Sequence, residues 1–378
     1  MSLIGAKFPF IYINRDKMVT ESGHVLVKVK GEELARLEKN FKGSYNGKYN
    51  GLVRVTPGDW LYPGAFKYYT SKLYNFKWKT TDVLIAGFLK CGTTWLQEIV
   101  WTMRNNPNLN NPDANTPILS RVPIIDLDMY IDPKAYLFLV PGNPLKKIVK
   151  EFRKKVPHGK PAKGIYLQTG DALPDPRTLK SHFSFSMLNP SLLEHSKVVY
   201  IARNPRDMII SLHHMYRLFE FASYTGTLEQ FVEHFTNDEV VHGPFWRHVK
   251  EAWQMRHHPN LHFVFYEDLR SNTKLELKKI NDFLGTNLSQ QQLDKVEHYT
   301  SFEEMKKRDN FTNTNRADNP NVNKKVAKTD GGFFRKGVVG NWKEKLTPQM
   351  IEKIDQYTKK HLSEIPFRYS SPSTKSDS

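Results

Sequence analysis

The stretch Val83-Leu84-Ile85-Ala86-Gly87-Phe88-Leu89-Lys90-Cys91-Gly92-Thr93-Thr94-Trp95 decides how this chain is read. Val83 to Ala86 is a short apolar run with β-branched members, bounded by Thr81-Asp82 and Gly87, and reads as a buried strand. Beyond the loop, Leu96, Ile99, Val100 and Met103 recur at helical spacing. The order strand, glycine-bounded loop, helix turns backbone amides inward and adds the positive end of a helix dipole. Such a loop holds an anion, most often a phosphate. Its glycine spacing is that of the nucleotide motif G-x-x-x-x-G-K-[ST], but the lysine lies inside the loop, as Lys90, rather than after Gly92. On this stretch alone, an ordinary strand-to-helix turn carrying glycine and lysine is the alternative.

Three further stretches have the same character. Thr178-Leu179-Lys180-Ser181-His182 reads as a strand with a polar tip. In parallel α/β sheets ligands bind outside the carboxyl ends of strands, which puts Lys180 and His182 near the loop. By position alone His182 reads more readily as a structural histidine than a catalytic one. Lys197 to Arg203 is another buried strand, followed by Asn204 as N-cap and Pro205 as first helical residue. Where a nucleotide triphosphatase ends this strand in a magnesium-binding Asp, this chain has Arg203, which suits an anion and repels a metal. A salt bridge from Arg203 to Asp207 is the structural alternative. Leu261 to Tyr266 is the next strand. Glu267-Asp268 after it lacks partners at ligand spacing, so no metal site is expected. Thr227 with Gln230, and Thr273 with Glu276, fit capping boxes.

The 378 residues are 39% hydrophobic and 25% charged, within globular values, and suit one large α/β domain. The net charge of +17 and pI of about 9.6 fit nucleic acid, an anionic membrane or small polyanions as partners. The charge reads as spread along the chain, with short runs such as Lys146-Lys147 and Lys324-Lys325. A single cysteine rules out an internal disulfide framework or a cysteine-based zinc site and points to a reducing compartment. The start of the chain lacks a signal-peptide pattern, and no run approaches the ~20 apolar residues of a membrane helix. A cytoplasmic protein is the expectation.

Residues 1–50 read as an N-terminal extension with short strands at Phe10–Ile13 and His24–Val29 and a helix from Glu32 to Phe41. Arg54 to Asn75 is rich in aromatic and turn residues, either a substrate-pocket wall or ordinary core under a loop. Residues 129–177 read as an insertion in the main domain, 51–368, with a basic amphipathic helix over Leu145–Phe152, and serve as a lid or pocket rim. Asp309 to Lys328 is polar and reads as mobile without ligand. Residues 369–378 read as a disordered tail.

Taken together, the motifs resemble the cytosolic sulfotransferases over roughly residues 50–365, in separated segments in the right order. Lys90 to Trp95 resembles the family's P-K-S-G-T-T-W loop, with Leu89 for proline and Cys91 for serine. Lys180-Ser181-His182 resembles K-T-H. Arg203-Asn204-Pro205-Arg206-Asp207 with Ser211 resembles R-N-x-x-D-x-x-x-S, and Tyr266-Glu267-Asp268 resembles Y-E-D. Thr300-Ser301-Phe302 resembles T-S-F. Arg335-Lys336-Gly337 with Gly340-Asn341-Trp342 resembles R-K-G-x-x-G-D-W, with Asn341 for aspartate. Arg121 to Asp126 resembles a segment beside the acceptor pocket. The long insertion is a feature of insect members, including retinol dehydratase.

The resemblance implies an α/β fold of the P-loop type: three layers, a central parallel sheet flanked by helices. It implies 3′-phosphoadenosine 5′-phosphosulfate (PAPS) as sulfuryl donor, 3′,5′-adenosine bisphosphate as product, and no metal. Lys90, Cys91, Gly92, Thr93, Thr94 and Trp95 then belong to the 5′ side of the cofactor, with Trp95, Tyr266, Thr300 and Phe302 about the adenine. Arg203, Ser211, Arg335, Lys336 and Gly337 hold the 3′-phosphate. The catalytic group is His182 as base, Lys90 on the leaving side and Lys180 in support. The acceptor is a small apolar alcohol or phenol, with neither nucleic acid nor membrane as partner. A homodimer through Lys343–Glu352 is implied by K-x-x-x-T-V-x-x-x-E, with Pro348 at the valine position; helix capping by Thr347-Pro348 explains the same residues. Rival readings are an ATP-dependent small-molecule kinase, a non-catalytic polyanion binder, and a dehydratase that sulfonates an allylic alcohol transiently.

Overall fold

The computed structural model describes residues 10–14, 16–43, 51–137, 143–308, 319 and 321–362. The expected tail at 369–378 and most of the polar segment 309–328 lie outside these residues. Two sheets organise the chain. The first is antiparallel, in the order β1 Phe10–Asn14, β2 Lys17–Thr20, β3 Val25–Lys28, β4 Leu52–Thr56 and β5 Trp60–Pro63. The Gly31–Asn40 helix lies between β3 and β4. The aromatic stretch after Arg54, read from sequence as wall or loop core, is instead in part this sheet. Trp60, Leu61 and Tyr62 are fully buried on β5. The dense turn residues there hid the strand alternation.

The second sheet is parallel: β6 Val83–Ala86, β7 Thr178–Ser181, β8 Lys197–Ala202 and β9 Leu261–Phe265, in spatial order β7-β6-β8-β9. Its side chains alternate between two cores. Leu84, Ala86, Val198, Tyr200 and Ala202 face one. Val83, Ile85, Val199, Ile201 and Val264 face the other. Helices cover both faces. Thr93–Asn105, Thr273–Leu284 and Gln290–Tyr299 pack on the second face. Pro205–Leu218 and Phe245–Gln254 pack on the first, together with the antiparallel sheet. Burial on both faces makes β6 a continuous apolar run and β8 nearly so, whereas β7 buries Lys180 and Ser181 at the site end. The result is the expected three-layer α/β fold with a central parallel sheet.

Parallel register brings the carboxyl ends of the strands together. Ala86 pairs with Ser181 on one side and Tyr200 on the other. Gly87, His182 and Arg203, each at or just past a strand end, therefore converge. The segment 123–125 extends the edge: Lys180 N–H donates to the Pro123 carbonyl at 3.1 Å, and Ile125 N–H to Lys180 O at 3.0 Å.

The segment from Asp128 to the Ile165–Asp171 helix is tied to this edge by Asp128. Its carboxylate accepts from the amides of Ile165 (2.7 Å), Tyr166 (3.2 Å) and Leu167 (2.9 Å) at the start of the Ile165–Asp171 helix. The expected basic helix runs over Pro144–Lys155. The Thr227/Gln230 capping box forms. The Thr273/Glu276 box does not: Asn272 is the cap, its side chain accepting from Leu275 N–H, while Thr273 Oγ1 donates to the Leu269 carbonyl. Asn is at least as good a cap as Thr and lies one residue earlier. Among the described residues, no helix is long and apolar enough to cross a membrane.

Candidate active site

The loop after β6 has the geometry its glycines dictate. Gly92 has φ 104°, and a Cβ there would sit 2.6 Å from the Tyr266 ring. Lys90 takes φ 64°, a left-handed conformation that costs a non-glycine residue on the order of 1–3 kcal/mol. The Thr93–Asn105 helix begins directly after Gly92, so its first-turn amides have no partner within the helix.

A cavity of about 820 Å³ opens over these groups. Lys90, Gly92, Thr93, Thr94, Trp95, Lys180, His182, Arg203, Ser211, Tyr266, Phe302, Arg335, Lys336 and Gly337 all line it. The sequence named each of these, from segments more than 200 residues apart. Two further sequence candidates sit otherwise. The Cys91 side chain is fully buried in the core, so the loop offers only its backbone there. Thr300 is fully buried, and its Oγ1 donates to the Val296 carbonyl at 2.8 Å.

His182 is oriented from three sides. Its amide donates to Asp126 Oδ2 at 3.0 Å, and its carbonyl accepts from His248 Nε2 at 3.0 Å. Ring Nδ1 lies 2.9 Å from the Gly87 carbonyl. A carbonyl only accepts, so Nδ1 carries the proton and Nε2 keeps its lone pair. Burial, then the charge of Lys180 and the neighbouring His242, hold the ring well below the usual histidine range. It is neutral at pH 7 and can accept a proton at Nε2.

The cations crowd one another. Burial lowers Lys90 well below its ordinary value, and Arg203, Lys180 and Arg335 lower it further. Its ammonium rests 3.6 Å from the centre of the Phe333 ring. Burial brings Lys180 down to about 7. Lys180 Nζ donates to Thr94 Oγ1 and Gln97 Oε1, both at 3.2 Å. Arg203 donates to the carbonyls of Lys90 (3.3 Å) and Val338 (3.2 Å) and lies over Tyr266 at 4.2 Å. Its Nε has no hydrogen-bond partner. A polyanion supplies the missing compensation, so the donor set fits a nucleotide with more than one phosphate-like group.

Arg203 does not pair with Asp207 as the structural alternative required. Asp207 instead accepts from the amides of Gly340 (2.7 Å) and Trp342 (3.0 Å), fastening the 335–342 segment over the cavity. The sequence reading missed this role. It also missed His214, whose Nε2 donates to the Gly332 carbonyl at 3.1 Å. Asp207, Ser211 and His214 stand at i, i+4 and i+7 of one helix, so a single helical face carries all three toward the cavity. Phe302 packs on Gly337, where a Cβ would be 2.4 Å from its ring. Trp95 lies edge-on to Tyr266 at 5.8 Å.

The other end of the cavity is apolar. Leu119, Ile124, Ile131, Leu145, Ile148 and Phe221 line it, with Tyr130 and His242 beside His182. The His182 and His242 rings are 5.8 Å apart. Among the described residues, no group of three His, Cys, Asp or Glu side chains is arranged to hold a metal.

Residues 80–366 match the family model described as the sulfotransferase domain. The chain is 34% identical over 299 residues to Sulfotransferase 1A1 of Rattus norvegicus, covering 79% of this chain and 90% of that one. It is 30% identical to Sulfotransferase 1C2 of Homo sapiens, covering 77% and 86%. A crystal structure of retinol dehydratase with androsterone and the inactive cofactor PAP superposes with a TM-score of 0.78. Identity there is 26%, over 92% of this chain and 98% of that one.

Proposed function

The chain belongs to the sulfotransferase family, and from that footing we propose that it transfers a sulfuryl group from PAPS to the hydroxyl of a small apolar alcohol or phenol. The observation that carries this reading is the pairing, in one cavity, of a neutral His182 with Lys90, Lys180, Arg203 and Arg335, cations close enough to depress the Lys90 ammonium. PAPS supplies the sulfuryl group and leaves as 3′,5′-adenosine bisphosphate. Lys90 and the first-turn amides of Thr93 and Thr94 hold the 5′ side. Arg203, Ser211, Arg335 and Lys336 hold the 3′-phosphate. Trp95, Tyr266 and Phe302 offer aromatic faces to the base, where stacking contributes about 1–3 kcal/mol.

His182 Nε2 takes the acceptor proton as the hydroxyl attacks. Negative charge gathers on the leaving side, where Lys90 and Lys180 meet it without reorganisation. The apolar end of the cavity favours an acceptor with a hydrocarbon body and keeps water from competing. No step in this scheme calls for a metal. The exposed Lys343–Glu352 segment is offered as a dimer contact, to be tested by sedimentation.

The test is mass spectrometry of a panel of alcohols and phenols incubated with PAPS, with and without excess EDTA. A sulfated product formed in both arms supports the proposal. Turnover of ATP that returns only with magnesium overturns it in favour of a kinase. One second reading has a specific motive: the retinol dehydratase superposition spans 92% of the chain. A dehydrated alkene from allylic alcohols in the same panel, in place of a stable sulfate, identifies it.

A further inference from the structure

The net charge looks evenly distributed along the sequence, but one part of the fold concentrates it. Residues 144–163 carry eight lysines and arginines against one acid, Glu151, a net +7 of the chain's +17. This corrects the reading of a charge spread along the chain. The Pro144–Lys155 helix divides these residues by face. Val149 and Phe152 are buried against Ile165, and Leu145 and Ile148 line the apolar end of the cavity. Lys146, Lys147, Lys150 and Arg153 are exposed on the outside. The helix is therefore a wall one side chain thick, with hydrocarbon within and cations without.

Little nearby charge opposes the outer face. Glu151 is already held by Lys154 at 2.9 Å. No described ion pair involves Lys146, Lys147, Lys150 or Arg153. Lys146, Lys150 and Arg153 stand at i, i+4 and i+7, one stripe along the helix. Like charges so placed repel, and an isolated helix gains nothing from them. Their arrangement answers a planar surface of opposite charge.

We propose that the outer face of the Pro144–Lys155 helix docks the protein on an anionic membrane surface, with the apolar cavity directly beneath it. The occupant is read from two facts. The face is exposed, cationic and carries a single acid on its helix, Glu151, complementary to anionic lipid headgroups. The cavity it covers takes an apolar molecule, and such molecules partition into bilayers. The helix does not embed, because its apolar side already faces the protein interior. Attachment is electrostatic, reversible and sensitive to salt. This departs from the sequence expectation of no membrane partner. Docking itself does not depend on the sulfotransferase reading.

Sedimentation with vesicles of phosphatidylserine and phosphatidylcholine, against phosphatidylcholine alone, tests it without PAPS or acceptor. Each cation near an anionic leaflet strengthens binding about fivefold at most, so Lys146→Gln, Lys150→Gln and Arg153→Gln together weaken it about 10²-fold. A control set of equal charge, Lys39→Gln, Lys278→Gln and Lys359→Gln, leaves binding within a few-fold. Circular dichroism checks that both sets fold. Equal loss in the two sets, or no binding by the wild-type chain at physiological ionic strength, overturns the proposal. So does tighter, helix-dependent binding to duplex DNA, which makes the face a nucleic-acid surface. Failure of the sulfation panel leaves all of these outcomes readable.

Discussion

Lys90 and Ile148 line the same cavity, yet their surroundings are built by opposite means. Around Lys90, the phosphate loop, the ends of β7 and β8 and the 335–342 segment bring cations into mutual repulsion. Backbone carbonyls, the Phe333 ring and the Asp207 carboxylate hold that arrangement in place. Around Ile148, apolar side chains from the insertion and the 119–131 segment enclose space, with the cations turned outward. The first half stores electrostatic tension that a ligand relieves. The second offers only shape and hydrocarbon. Identity of the anion is therefore strongly constrained, and identity of the acceptor is set by volume. Five perturbations test how separate the halves are.

The largest effect is expected at the boundary between them. His182→Asn removes the only group with a lone pair fixed by the Gly87 carbonyl, and the rate falls roughly 10²–10⁴-fold on aliphatic alcohols. Acidic phenols, already partly ionised, lose less. Rates over a series of nitrophenols and alcohols check this. An equal loss on every acceptor makes His182 a wall residue.

Lys90→Met acts on the cation side alone. The rate falls about 10²–10³-fold whatever the acceptor, with affinity for 3′,5′-adenosine bisphosphate much less affected, because Arg203 and Arg335 remain. A loss that depends on the acceptor would mean that the halves are coupled through this lysine.

The third concerns pH. Lys180 is pushed down to about 7 and Lys90 lies well below its ordinary value, so both lose charge in the free protein as pH rises. A bound polyanion raises both again. Binding therefore takes up protons above pH 7, and affinity for 3′,5′-adenosine bisphosphate falls as pH rises, by up to about tenfold per unit for each lysine recharged. Calorimetry across pH 7–9 measures it, and Lys180→Met flattens the slope. Affinity independent of pH shows that both lysines stay charged in the empty site.

The smallest effects should be local to each half. Asp207→Asn leaves one of two amides without its acceptor and weakens the bisphosphate about tenfold, with little change in acceptor KM. Ile148→Ala raises acceptor KM about fivefold for bulky apolar alcohols and leaves nucleotide affinity unchanged. Crossed effects in either variant would erase the distinction.

Much of the cation half was legible because its signals are short. Gly87 to Gly92, the tip of β7 and Arg203 at the end of β8 each declare themselves within six residues, and strand periodicity says where they must meet. Asp207 was visible as a letter, but its partners Gly340 and Trp342 lie over 130 residues away. The acceptor half gave weaker signals. Leu145 and Ile148 read as one face of an amphipathic helix without saying what that face covers. Strands β4 and β5 were hidden by the turn residues dense around them, and β5, buried along its whole length, shows no alternation.

The sequence alone determined the strand–loop–helix order around Lys90 and the parallel sheet, because both rest on backbone geometry fixed by neighbours in the chain. Only the tertiary structure decided which way the site's side chains face and what they lack. The Nδ1 proton of His182 is set by a carbonyl 95 residues away. The depressed lysines follow from burial and from one another. Cys91 and Thr300 turn into the core for the same reason: a side chain's direction is settled by the packing around it, and that packing comes from parts of the chain no local pattern connects.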